Sequence, residues 1–236
     1  MAGDSTMAAA DLQTFDMSAI EEMDPSCAEG FNVIYDREVP FELRVQQNQD
    51  GPSQVGTLEA IKVKILLQGD DARPSAVRIE LSSEADLFYH YAHLIDEAGF
   101  QVVQEQQKLM VEFADYPNVL IRMLNNCIRE PHNHLAVFVM QQDGTARLDF
   151  IQNMEYKFVE LMSCHFARSS EESVQHHITY RYNAMKTRLA LMQARLTEVQ
   201  NVIKLKNPSL LLQLQRNPSA TLAPSQTNNL NSSRRG

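Results

Sequence analysis

Three successive stretches of strict alternation constrain the architecture most. Val39, Phe41, Leu43 and Val45 alternate with Pro40, Glu42, Arg44 and Gln46. Ile61, Val63, Ile65 and Leu67 alternate with Lys62, Lys64, Leu66 and Gln68, and Val77, Ile79 and Leu81 alternate with Arg78, Glu80 and Ser82. Successive side chains of a strand point to opposite faces, so each stretch presents one apolar face. Three such segments in a row imply an antiparallel sheet with one face on a core. The polar stretch Gln47 to Gly56, carrying Asp50-Gly51-Pro52, reads as a turn or loop between the first two.

The period then changes. Leu87 to Ile95 fits a strand by its aromatics Phe88, Tyr89 and Tyr91, and a short helix by its spacing. Asp96 can cap a following helix with Phe100, Val103 and Met110 near one face. Asp115-Tyr116-Pro117 opens a second helix, with the proline in the first turn where no N–H is needed. Leu120, Leu124, Cys127 and Ile128 form its expected buried stripe, and Pro131 ends it. Strand signals return at Leu135 to Met140, Leu148 to Gln152 and Phe158 to Phe166, with Asp143-Gly144 as a hairpin turn. Between the last two strands lies the short connection Asn153 to Lys157, with Tyr156 at or near its tip.

After Ser169-Ser170 the pattern becomes helical and stays so, with Glu171 and Glu172 suited to a helix N-terminus. Ile178, Tyr182, Met185, Leu189, Met192, Leu196, Val199 and Ile203 recur at alternating spacings of four and three. That is the seam of a coiled coil. A helix packed along its own globular domain would show a wider apolar stripe, whereas Arg181, Lys186, Arg188, Arg195 and Glu198 flank this one. A parallel dimeric coiled coil over 171–206 is expected, stopped by Asn207-Pro208.

Residues 1–29 hold seven acidic residues and no Lys or Arg, and read as a disordered acidic arm. The segment 207–236, rich in Asn, Ser, Gln and Pro, reads as a disordered tail. Residues 30–168 between them are expected to form the β-rich head. The fold class is therefore a mainly β head, an antiparallel sandwich or barrel of about seven strands with a helix–turn–helix insertion, followed by a coiled-coil helix.

The 236-residue chain carries a net charge of −9 and no basic cluster beyond Arg234-Arg235, which argues against a nucleic-acid surface. No apolar run approaches the length of a membrane span, and no signal-peptide pattern opens the chain. Cys27, Cys127 and Cys164 are too far apart for a CxxC motif and suit a reducing cytosol. No catalytic constellation is found: there is no GxGxxG, GxxxxGK[ST] or GxSxG. His90 and His93 would face opposite sides of a strand with no third ligand nearby. His132 and His134 follow a proline in a loop, and His176 and His177 diverge by about 100° on a helix. Neither an enzyme nor a metal, cofactor or small-molecule site is expected, and the partner expected is another copy of the chain.

The stretch Phe100-Gln101-Val102-Val103-Gln104-Glu105-Gln106-Gln107-Lys108-Leu109-Met110-Val111-Glu112-Phe113 runs directly into Ala114-Asp115-Tyr116-Pro117, then Ile121, Leu124 and Cys127. It resembles the spindle assembly abnormal protein six family, the centriolar cartwheel protein. That family carries a similar Phe, a Gln-rich helical turn, Leu-Leu-Val-Asp-Phe, an aromatic-Pro pair and a Leu-rich helix ending in Cys. The resemblance covers roughly residues 37–205. It implies that Leu87 to Ile95 is a strand and Asp96 to Met110 the first inserted helix. It also implies a head–head contact through Tyr156, flanked by Met154 and Lys157, where the family usually has Phe at the matching position. Self-assembly at the centriole, basal body, flagellar base or apical complex would follow, with other cytoskeletal assembly proteins as further partners. The family's stalk usually runs for hundreds of residues, so the resemblance implies either the short-stalked form of some protists or part of a longer chain. The same layout occurs in the scaffolds of DNA end joining, a reading that three basic residues after position 206 fit poorly.

Overall fold

The structure, a computed structural model, describes residues 22–46, 56–70 and 72–206. The chain divides into two compact units, Met1–Ala184 and Met185–Gly236. In the first, seven strands close into a barrel: β1 (Phe31–Gln46), β2 (Thr57–Asp70), β3 (Arg73–Ser82), β4 (His90–Asp96), β5 (His134–Gln141), β6 (Thr145–Asn153) and β7 (Phe158–Arg168). Around the barrel the order is β1-β2-β3-β4-β7-β6-β5. Neighbours pair antiparallel except at the closure, where β1 runs parallel to β5 from Phe41↔Ala136 to Gln46↔Gln141. The expected all-antiparallel sheet is thus corrected to a mixed one. Alternation reports which face a residue takes and not the direction of its neighbour; β1 and β5 are separated by three strands and two helices, so no hairpin fixes their sense.

The alternating residues fill the barrel. Val39, Phe41, Leu43, Ile61, Val63, Ile65, Leu67, Val77, Ile79 and Leu81 are all buried in one core with Phe138, Leu148, Phe150 and Phe166. Val45 departs from the pattern and is exposed, near the end of β1. Leu66, assigned by parity to the polar face, is fully buried against Phe31 and Ala76 in a second, smaller cluster. The outer face of β2 and β3 is therefore covered too.

Part of that cover comes from residues assigned to the acidic arm. Pro25–Gly30 form two short 3-10 turns broken by extended Ala28 and left-handed Glu29; Asp24 caps the first by accepting from Ser26 N, and Ser26 is fully buried. Asp24 pairs with Lys64, and Glu29 pairs with Arg78 at 3.0 Å. The acidity of residues 24–29 answers basic residues on the outer face, so it does not mark disorder there; residues 1–21, the expected turn or loop at 47–55, residue 71 and the expected tail at 207–236 lie outside the described residues.

Two helices cross between β4 and β5: α1 (Glu97–Gln107) and α2 (Tyr116–Arg129). Asp96 caps α1 by accepting from Gly99 N at 2.8 Å. The helix ends sooner than expected, at Lys108 in the left-handed region (φ 54°), so Met110 leaves the helical face and is 100% exposed. On α2, Leu120, Leu124 and Cys127 are buried, while Ile128 turns outward. The strand expected from Leu87 begins only at His90, because the Asp86 side chain accepts from Phe88 N at 2.9 Å and holds the preceding residues in a turn.

The barrel has one thin seam. β4 and β7 share only the pairs Tyr91↔Arg168 and Ala92↔Ala167. Beyond them side chains substitute for the missing ladder. His93 Nδ1 lies 2.6 Å from the carbonyl oxygen of His165. The Gln107 amide donates to Ser163 O and accepts from Ser163 N, both at 2.8 Å. Backbone groups of β7 are thereby satisfied by an amide that mimics a strand.

Candidate self-association surfaces

The β6–β7 hairpin closes at Asn153↔Phe158, leaving residues 154–157 as a four-residue tip. Met154 N donates to Lys157 O at 2.8 Å, which keeps the tip tight. Its root is tied to the loop before β5 by Asn153 N donating to Asn133 O at 2.7 Å and Asn153 Nδ2 donating to His132 O at 3.2 Å. Tyr156 is 90% exposed on this braced tip, with Met154 and Lys157 exposed beside it. Phe158, which sequence reasoning counted only as the start of a strand, adds a second exposed aromatic. Three exposed apolar side chains at and beside this tip, Met154, Tyr156 and Phe158, form a contact surface that no other described residue covers.

At the root of the same hairpin lies a shallow recess of about 20 Å³. Met123 and Cys127 of α2, Leu135 of β5, Phe150 and Ile151 of β6 and Leu161 of β7 line it. At that volume it has room for about one water molecule, so an aromatic ring could enter only if α2 moved or its side chains repacked. Cys127 contributes bulk and no reactivity, since burial pushes its thiol up to about 11.

The second surface lies on α3 (Glu171–Lys206), a 36-residue helix whose N-terminus is capped by Ser170 Oγ accepting from Ser173 N at 3.2 Å. Within the first unit its buried face is Val174, His177 and Ala184, with Arg181 between them donating to Ser83 O and Leu87 O. That face is one residue, about 100°, away from Ile178, Tyr182 and Met185. The first turns therefore pack in cis on a stripe the sequence did not single out, and the 4-3 row is left free. Tyr182, Met185, Leu189, Met192, Leu196 and Val199 are between 54% and 70% exposed, and Ile178 and Ile203 are half-buried.

Among the histidines, His90 and His93 do face opposite sides of β4. His93 faces the core, and desolvation holds its imidazole below the usual value. His90 stacks on His177, with ring centroids 4.2 Å apart, and Glu80 lies against both. No spacing rule could have found this trio, which joins β3, β4 and α3.

The family is decided by a model of the centriolar protein SAS N-terminal domain, which matches residues 33–166, more than half of the chain. The chain belongs to the centriolar SAS N-terminal domain family. Among curated relatives it is 27% identical over 109 residues to a spindle assembly abnormal protein 6 homolog of Gallus gallus, covering 46% of this chain and 16% of that protein. The Mus musculus homolog is 30% identical over 91 residues, covering 38% and 14%. The chain thus spans a small part of the length of the relatives it matches. Solved structures share the fold. An N-terminal fragment of Leishmania SAS-6 containing parts of its coiled coil domain aligns with a TM-score of 0.63 at 15% identity, covering 76% of this chain and 98% of that one. A Drosophila melanogaster fragment described as dimerised via the coiled-coil domain gives 0.62 at 13% identity, covering 84% and 92%.

Proposed function

We propose that this SAS-family chain is a structural protein of the centriole that works by binding copies of itself through two separate surfaces. The observation that carries this is the pair of unpartnered apolar surfaces: the 4-3 row of α3 and the braced tip around Tyr156. The row supports a parallel coiled-coil dimer, because a seam of this kind is stable only against a second helix. The tip supports a weaker head-to-head contact. In a two-fold contact the same patch serves both partners, so anchor and acceptor must lie on one face. Tyr156 and the recess at the root of its own hairpin are the pair assigned to these roles, with α2 or its side chains moving to admit the ring. Two interfaces used alternately link dimers into larger assemblies, which suits a cartwheel or a related array at a basal body, flagellar base or apical complex.

The tyrosine hydroxyl sets the strength of the head contact. Buried without a partner it would cost about 1–3 kcal/mol, so it either reaches a polar group at the rim, where Asn126 and His134 stand beside the recess, or leaves the contact weaker. Tyr156→Phe is expected to keep or strengthen the contact, and Tyr156→Glu to abolish it by burying an unpaired charge. The reading is tested by expressing the tagged chain in ciliated or flagellated cells. Wild type and Tyr156→Phe should concentrate at centrioles or basal bodies and Tyr156→Glu should be diffuse; a nuclear location of the wild type would defeat the proposal in favour of a DNA-repair role.

A further inference from the structure

The covered outer face of β2–β4 holds a group of side chains that neither association surface uses. Glu80 on β3 and His90 on β4 are diagonal neighbours on one face, since His90 pairs with Ser82. His177 from the second turn of α3 closes over them. Each offers one ligand atom, and these atoms lie within 4.8 Å of one another. We propose that Glu80, His90 and His177 form a site for a divalent transition-metal ion such as Zn²⁺, which fastens the first turns of α3 to the barrel.

Four observations carry it. The first is the donor set: two imidazoles and one carboxylate suit zinc and its neighbours, with a fourth position left for water. The second is the orientation of the donors. His90 Nδ1 lies 2.7 Å from Ser169 Oγ. With its N–H given to that oxygen, His90 carries its lone pair on Nε2; a metal-binding histidine is held in this way by the partner of its other nitrogen. Glu80 has one oxygen fixed by Ser26 Oγ at 2.6 Å. His177 makes no hydrogen bond among the described residues and keeps a ring nitrogen for the ion.

The third observation is charge. Around the trio Lys64 is matched by Asp24 and Arg78 by Glu29. Arg78 Nη1 is 3.8 Å from the second Glu80 oxygen, too far for a hydrogen bond. Arg181 donates to two backbone carbonyls and keeps its charge, which both imidazoles feel, with Glu84 nearby. Glu80 is thus a buried carboxylate held by one long ion pair to Arg78, beside two buried imidazoles. The fourth is access: a cavity of about 410 Å³ opens onto the trio, bordered by Pro25, Ala92, Ser173 and His176. An ion and its water can enter without unfolding anything. Bonds of ~2.0–2.2 Å at tetrahedral angles put ligand atoms about 3.3 Å apart. The trio must therefore draw in by roughly 1.5 Å at most, and the stacked His90 and His177 rings, 29° apart, must open so that both lone pairs converge, which side-chain rotation supplies.

The test titrates Co²⁺ into the metal-stripped full chain, follows its visible absorption, and then displaces it with Zn²⁺. The expected result is one Co²⁺ per chain with the strong absorption of a four-coordinate site, a raised Tm, and loss of the signal on adding Zn²⁺. His177→Gln and Glu80→Gln should each weaken Co²⁺ binding by about 100-fold or more, and Ser169→Ala, a positioning residue, by ~10–100-fold. His176→Gln should leave it unchanged. A second measurement does not depend on the variants folding. On addition of Zn²⁺ to the wild type, the ring-nitrogen NMR signals of His90 and His177 should shift. The proposal is overturned if the wild type binds no Co²⁺, if binding survives His177→Gln, or if the shifts fall on His132 and His134 instead.

Discussion

Tyr89 and His93 show how single residues set the stability of the head. Tyr89 packs its ring against Tyr91 and Phe138, with centroids 5.1 and 6.1 Å away. Its hydroxyl is buried with no hydrogen-bond partner among the described residues. An unmet buried hydroxyl costs free energy and the ring alone does the packing, so Tyr89→Phe should stabilise the head by about 1 kcal/mol, read as a higher denaturation midpoint at unchanged m. His93 is held neutral by desolvation while its Nδ1–H serves the His165 carbonyl. Because the folded pKa is lowered, the unfolded chain takes up the proton first as pH falls below about 6.5. Stability contributed by neutral His93 is present above that value and is lost as pH drops toward the folded pKa, below which the loss levels off. His93→Asn keeps an N–H donor and removes the titration. Its Tm measured from pH 8 to 4 should fall less steeply than that of the wild type; parallel curves would show that His93 does not carry the proton linkage. At this scale the sequence was informative only in part. Tyr156 stands out once a hairpin tip is recognised, but the Glu80–His90–His177 trio depends on three elements meeting, which no local pattern encodes.

The elements were more legible than their arrangement. Alternation at 39–45, 61–67 and 77–81 marked three strands, because a strand with one buried face must alternate. It did not reveal the parallel β1–β5 closure, which depends on topology. It also missed the burial of Leu66 and Glu80, which depends on the Pro25–Gly30 turn and α3 covering the outer face. On α3 the conspicuous 4-3 row concealed the Val174, His177, Ala184 stripe, whose members are too few and too polar to register as a second apolar face. The thin seam between β4 and β7 was invisible for the same reason: Gln107 reads as a solvated helical residue until its amide is seen on Ser163. Gln107→Ala leaves a backbone N–H and C=O of β7 without their partner. It should cost about 1–3 kcal/mol, and hydrogen exchange should quicken at the Ser163 amide. An unchanged Tm with unchanged exchange would show that the seam does not need this bridge.

For the whole molecule, the family match fixes the head as a centriolar SAS N-terminal domain, while assembly is the property that remains to be measured. A 36-residue helix extends about 54 Å and carries its free apolar row along most of that length. With Met185 and Met192 in the row, the dimer should be modest in strength, since Met specifies packing loosely. The head contact proposed above rests on one anchor and should be weaker still, so the two proposed levels of association separate by concentration. Sedimentation velocity over a wide concentration range tests this directly with four proteins: wild type, Tyr156→Glu, Leu189→Asp with Leu196→Asp, and all three substitutions combined. The account predicts that the wild type passes from dimer to larger species. Tyr156→Glu should stop at the dimer, the helix variant should associate only weakly through its heads, and the combined variant should remain a monomer throughout. A combined variant that still dimerises, or a Tyr156→Glu protein that assembles like the wild type, would contradict it.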